Sequence, residues 1–174
     1  PRSRHPHPLE DCMVRLGLGE ILYYQNELAV AEGQFREALT KGAEWLNLED
    51  RVPSVIIFVR LLWAIGQSEK ARILLEETRA LAEHIQQPLA LSWLRAVQAW
   101  LELKEGNLET VQHWAQTENL KPTDDIPFYL EFVYKVLAQL WLAEGQYKEA
   151  LLLLETLRHA AETTERILHL VEVL

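Results

Sequence analysis

Cysteine is nearly absent from this chain: Cys12 is the only one among 174 residues. An internal disulfide is therefore excluded, and the composition fits a reducing, cytoplasmic setting. No apolar run approaches the roughly 20 residues that cross a bilayer. The opening "PRSRHPHP" is basic and proline-rich but lacks the apolar core of a signal peptide. Lysine and arginine number 17 against 26 acidic residues, a formal net charge of −9, and they form no cluster. That balance argues against direct nucleic-acid contact by this segment. Walker motifs, glycine-rich phosphate loops and DNA-reading helix patterns are all missing. Serine is scarce, and Ser92 has no His or Asp nearby in sequence to make it a nucleophile. Neither enzymatic activity nor a cofactor is expected. Alternating β-branched segments are missing too, so the class is all-α.

What is present is a repeated interruption. "WLAEGQYKEALLLLE", from Trp141, reads as one strong apolar helix except for Gly145, which costs a helix interior about 1 kcal/mol relative to alanine. The arrangement recurs in "LWAIGQSEKARILLEE" from Leu62 and "WLELKEGNLETVQHWA" from Trp100, and again in "ILYYQNELAVAEGQFREAL" from Ile21, where Asn26 replaces glycine. Gly and Asn are the residues that close a helix in a left-handed conformation, so each marks a turn between two helices. The markers Asn26, Gly66, Gly106 and Gly145 are spaced 40, 40 and 39 residues apart.

The surrounding pattern keeps the same register. Five residues after the markers stand Ala31, Ala71, Val111 and Ala150; seven before stand Gly19, Val59, Ala99 and Ala138. Both sets are small, as a close helix crossing requires. Eighteen before, Pro8, Pro88 and Pro127 coincide, where proline suits the first helical turn; the second unit has Leu48 there and Pro53 later. Asp125 is the expected N-cap of the fourth unit. First helices are expected at roughly 9–25, 51–65, 88–105 and 126–144, and second helices at roughly 28–46, 68–85, 108–118 and 147–163. The expectation is one helical-repeat domain over 1–174: an irregular 1–8, repeats at about 9–48, 49–87, 88–125 and 126–164, and the start of a fifth at 165–174. An αα-hairpin cannot bury its apolar face alone, so four hairpins plus a truncated terminal helix should stack into a superhelix. The apolar residues of "ILHLVEVL" at the end then lead to the expectation that the chain either self-associates through 165–174 or frays there.

A period near 40 also suits HEAT and armadillo units, but Gly19-x11-Ala31-x3-Phe35-x2-Ala38 resembles the tetratricopeptide consensus of Gly, Ala, aromatic and Ala. Thr78 and Glu118 replace the last alanine in later units. From about Leu9 onward the chain resembles the tetratricopeptide-like arm of LuxR-type, ATP-dependent (STAND) transcriptional activators related to the maltose-regulon activator MalT. The resemblance rests on "GLGEILYYQNELAVAEGQFREAL" and on "FYLEFVYKVLAQLWLAEGQYKEALLLLETLRHAAETTER". In the latter, Glu131, Leu137, Ala138, Leu142, Gly145, Ala150, Leu153 and Leu154 fall where that family places such residues. The family commonly has arginine at the place of Gln139. The resemblance implies a large parent protein with a nucleotide-binding switch before this arm and a helix-turn-helix after it. It also implies that the arm takes part in inducer sensing and self-association, with DNA contact made elsewhere in the parent.

In tetratricopeptide arrays the first helices line a concave wall, and residues thirteen, ten, six, three and two before the turn tend to face it. Those places hold the candidate groove residues: Glu20, Arg60, Trp100 and Gln139 at six before, Tyr23 and Trp63 at three before, Trp93 and Phe132 at thirteen before. Trp100 stands where its counterparts are polar, which points to a partly exposed stacking surface for a sugar, planar ligand or peptide. Ordinary packing between repeats explains Trp63, Trp93 and Phe132 better, since aromatic residues at helical spacing are usually core. Arg60 and Glu20 supply directional hydrogen bonds or, in the plainer account, a solvated ion pair. Glu155, His159 and Glu162, like Glu165, His169 and Glu172, share a helix face. HExxH is missing, however, so no metal site is expected and a metal-dependent hydrolase is only a third reading. The sequence therefore favours a regulatory arm binding an unidentified small-molecule effector or protein partner. Its alternative is a stand-alone tetratricopeptide scaffold that binds a partner peptide.

Overall fold

The structure is a computed structural model that describes residues 7–121 and 126–163. Among the described residues there are eight α-helices and no strand: α1 Pro8–Tyr24, α2 Leu28–Lys41, α3 Leu48–Ala64, α4 Ser68–His84, α5 Pro88–Lys104, α6 Leu108–Thr117, α7 Glu131–Ala143 and α8 Tyr147–Thr163. They form the four expected αα-hairpins. Contacts group the chain into two compact units, Pro1–Leu94 and Arg95–Leu174, divided within α5.

Each hairpin turns on its marker. Asn26, Gly66, Gly106 and Gly145 have φ of 63°, 77°, 84° and 77°. The residue after each marker donates its N–H five positions back: Glu27 to Leu22, Gln67 to Leu62, Asn107 to Glu102 and Gln146 to Trp141, at 2.8–2.9 Å. The marker's own N–H bonds three positions back. This Schellman arrangement satisfies carbonyls that a helix end would otherwise leave open. Two more such turns, at Gln86 (φ 53°) and Asn119 (φ 51°), close second helices α4 and α6 by the same bonds.

Beyond each turn the small residues meet. Ala31, Ala71, Val111 and Ala150 are fully buried. At the α1–α2 crossing Gly19 lies so close that an added Cβ would sit 3.1 Å from the Phe35 ring. Phe35 in turn stacks on Phe58 of α3, ring centroids 5.3 Å apart. Thr78, standing where the pattern has alanine, is buried with its hydroxyl donating to the Leu74 carbonyl at 2.8 Å. Glu118, the other departure, accepts from Arg95 and ties α6 to α5. A polar clamp reinforces the first hairpin. Arg15 of α1 donates to Asp11 at 2.9 Å and, across the crossing, to Gln34 at 3.1 Å and Glu37 at 2.8 Å.

Helix ends differ from expectation where local chemistry overrides the repeat. α3 begins at Leu48 rather than 51, because Asn47 adopts an extended backbone and its side chain accepts the Asp50 N–H at 2.9 Å; Pro53 then falls inside the helix. α2 stops at Lys41, and a 3-10 turn, Gly42–Glu44, replaces its last residues. There Gly42 lets the Leu46 side chain and Cys12 Sγ approach its backbone. In the fourth repeat a 3-10 turn at Phe128–Leu130 precedes α7, so Pro127 caps that turn instead of opening an α-helix. Asp125 and residues 165–174 lie outside the described residues, and with them the expected N-cap and the terminal fifth helix.

Two stability outcomes follow from this packing. Replacing Ala71 by leucine should overpack the α3–α4 crossing and cost about 1–3 kcal/mol. Gly33→Ala, on a helix surface with open space around the added methyl, should instead stabilise by about 0.5–1 kcal/mol. Urea midpoints at constant m-value distinguish the two, and a neutral Ala71→Leu would mean that the crossing is not close-packed. The second outcome concerns acid. The Glu37 carboxyl is held below its ordinary range, chiefly by the hydrogen bond from Lys41 and then by the charges of Arg15 and Lys41. A depressed folded pKa contributes stability that is complete above the unfolded pKa and lost as pH falls through the folded one. The stability gap between wild type and Glu37→Gln should therefore be present at neutral pH and shrink below the usual carboxylate range; a pH-independent gap would exclude the clamp.

Candidate functional site

The candidate residues are best followed within each unit. In the first unit, Glu20 and Tyr23 on α1 and Arg60 and Trp63 on α3 are all half-buried, as is Trp93 on α5. Their register, six and three before the markers, places each pair on one face of its first helix. Between the two helices the Arg60 guanidinium lies over the Tyr23 ring, 5.6 Å from its centroid. That distance is within the range of a cation–π interaction, and the stacking holds both side chains where solvent still reaches them. Tyr24 packs edge-on against Tyr23, centroids 5.4 Å apart. The Tyr23 ring thus meets both a second aromatic ring and a guanidinium.

In the second unit, Phe132 and Gln139 on α7 are half-buried, but Trp100 on α5 is not exposed as expected. It retains only 7% of its surface. The correction has a physical cause. Glu20 and Arg60 end in charged groups that must stay hydrated or bonded, whereas a tryptophan in the same register gains by lying down into the packing. Lys104, one turn on, then sets its ammonium 5.5 Å from the Trp100 ring centroid. Gln139 presents a different feature: its Oε1 is buried and accepts no hydrogen bond among the described residues. A buried acceptor left so costs about 1–3 kcal/mol.

The metal-like spacing stays dispersed. Glu155, His159 and Glu162 are exposed along α8, and Glu162 pairs with Arg158 at 2.6 Å. Among the described residues no three His, Cys, Asp or Glu side chains come together as a metal would need. Glu165, His169 and Glu172 lie outside the described residues. Cys12 is buried. A pocket of about 180 Å³ sits among α2, α3 and α4, lined by Phe58, Leu62, Ile73 and Leu74 with Arg36 and Lys70 at its edge. It shares no residue with the candidate groove.

Sequence reasoning also missed the Arg15 clamp, although Asp11 to Arg15 and Glu37 to Lys41 are readable i,i+4 pairs. The cross-helix bonds to Gln34 and Glu37 were not readable, because they depend on how α1 rotates against α2.

Successive αα-hairpins with left-handed turns and small-residue crossings define a helical-repeat protein. The chain belongs to the family described as the MalT-like TPR region, whose profile matches residues 2–174. Comparison with curated proteins and with solved structures returned no match. No helix among the described residues is long and apolar enough to cross a membrane.

The burial of Trp100 changes what its substitution would report. Trp100→Ala should destabilise the fold by about 3–5 kcal/mol, as large-to-small core changes do. A thermal melt or denaturant curve that moved little would show that the ring is dispensable to packing and return it to the list of surface residues.

Proposed function

We infer that these residues form the sensing and protein-interaction arm of a larger, signal-responsive transcriptional activator. The arm binds a small-molecule effector or protein partner on the surface of its first helices and acts in the cytoplasm, while nucleotide and DNA are handled elsewhere in the parent chain. The observation that carries this reading is the match to the MalT-like TPR region across nearly the whole sequence. Repeat arms of this kind are typically non-catalytic, and their work is recognition.

The half-buried Tyr23 and Arg60 support the choice of surface. Together they offer an aromatic ring and a guanidinium, a combination suited to a planar ligand, a sugar or a peptide. Glu20, Trp63 and Trp93 are the other first-unit members of this surface, and Phe132 and Gln139 are its counterparts in the second unit. Gln139 brings a buried acceptor that a ligand donor would satisfy. Trp100, being buried, drops out as a direct contact.

The test is a thermal-shift survey with monosaccharides, oligosaccharides, nucleotides and short peptides. A ligand specific for the folded chain at a hundred times its Kd should stabilise by about 2.7 kcal/mol. Tyr23→Ala and Arg60→Ala should each weaken that ligand tenfold or more while keeping the helical circular dichroism of wild type. Unchanged affinity in both variants would remove this surface as the site. Normal signal-dependent transcription by the full-length protein carrying Arg60→Ala would do the same.

A further inference from the structure

On α1 Cys12, Leu16 and Gly19 are buried, whereas Val14, Leu18 and Ile21 are 68%, 42% and 49% exposed; Met13, 44% exposed, lies to one side of that line. Val14, Leu18 and Ile21 stand twelve, eight and five residues before Asn26. Spacings of four and three residues put them on one side of the helix. Between them Gly17 leaves open space where a side chain would project.

The same register is mostly buried in later hairpins, the exceptions being the half-buried Ser54, twelve before Gly66, and Gln98, eight before Gly106. Eight and five before Gly66 stand Phe58 and Leu61, both buried, and Phe58 stacks on Phe35 of the preceding second helix with the ring planes 20° apart. Twelve, eight and five before Gly145 stand Val133, Leu137 and Leu140, all buried, on a first helix that contacts α6, the second helix of the hairpin before it. This register is therefore the seat of a preceding second helix, and α1 carries the apolar residues of that seat in the open. The entry to α1 matches as well. His7 and Asn47, each nineteen residues before its marker, cap α1 and α3 through their side chains, accepting from Leu9 at 3.3 Å and Asp50 at 2.9 Å.

We propose that Val14, Leu18 and Ile21 seat the second helix of a further αα-hairpin of the same pattern, delivered from the N-terminal side of Pro8. The geometry of Phe35 on Phe58 fixes the pairing: a large apolar residue nine places after that hairpin's turn meets Leu18. The surface continues an interface already present twice in the chain, and it is distinct from the effector-binding surface around Tyr23 and Arg60.

Because Cys12 is buried, a single introduced thiol can report on the seat. In Leu18→Cys the new thiol should react with N-ethylmaleimide at close to the rate of a free cysteine, while Cys12 stays unmodified. Joining a second copy of residues 8–47 directly ahead of Pro8 puts the copied Asn47 in the capping place of His7. That addition should slow alkylation of the introduced thiol at least tenfold and raise the melting temperature. Changing the copied phenylalanine to glutamate should restore most of the reactivity. Equal reactivity with and without the added hairpin overturns the proposal, as does an added segment that gains no helix. Protection that appears in the original chain and grows with protein concentration also overturns it, because a second copy would then be the occupant.

Discussion

A residue held at positive φ ends the first helix of every hairpin, and the rest of the architecture follows from the direction in which it sends the chain. Asn26, Gly66, Gly106 and Gly145 all adopt it, and the same two backbone bonds close each turn. An L-residue with a Cβ disfavours this conformation by roughly 1–2 kcal/mol, which is why three of the four are glycine and the fourth is asparagine. Once the turn is set, the next helix returns antiparallel at a fixed register. The residues five after and seven before then fall at the helix crossing, and at the first crossing an added Cβ on Gly19 would sit 3.1 Å from the Phe35 ring.

That chain of causes explains why so much of the fold was legible. The spacing of the markers, the small residues and the hairpin count all express one steric requirement, so one pattern recovered them together. Gln86 and Asn119 were not recovered, although they make the same turn at the ends of α4 and α6. Glutamine is no turn signal, and its left-handed backbone is imposed by the helices on either side rather than by its own preference. Helix ends were missed for a related reason: the Asn47 cap and the 3-10 turn after α2 are local chemistry that overrides the forty-residue period.

The candidate surface was legible as a register but not as an environment. Of the four residues six before the turn, three, Glu20, Arg60 and Gln139, are half-buried. Trp100 broke the analogy because register fixes where a Cβ points, while size and polarity fix where the side chain comes to rest. A guanidinium loses hydration by turning inward, whereas an indole gains by it. The pairing of Arg60 with Tyr23 needed a second helix at a particular rotation, information that one helix's sequence does not contain.

The same distinction separates the two surfaces of α1. Polar and aromatic residues at Glu20 and Tyr23 can remain at a wet surface without cost, so their exposure by itself selects no partner. Val14, Leu18 and Ile21 have no polar group to hydrate, and the equivalent places in later repeats show what covers such residues when cover is present. An apolar side chain left in water forgoes roughly 1.5–3 kcal/mol of burial. The stacking that stabilises the repeats therefore continues to act at α1, where a helix with matching side chains would find the shape and register already set. The proposed signal surface and the proposed helix seat draw on opposite faces of one helix, so a ligand at Tyr23 and a helix against Leu18 would not compete.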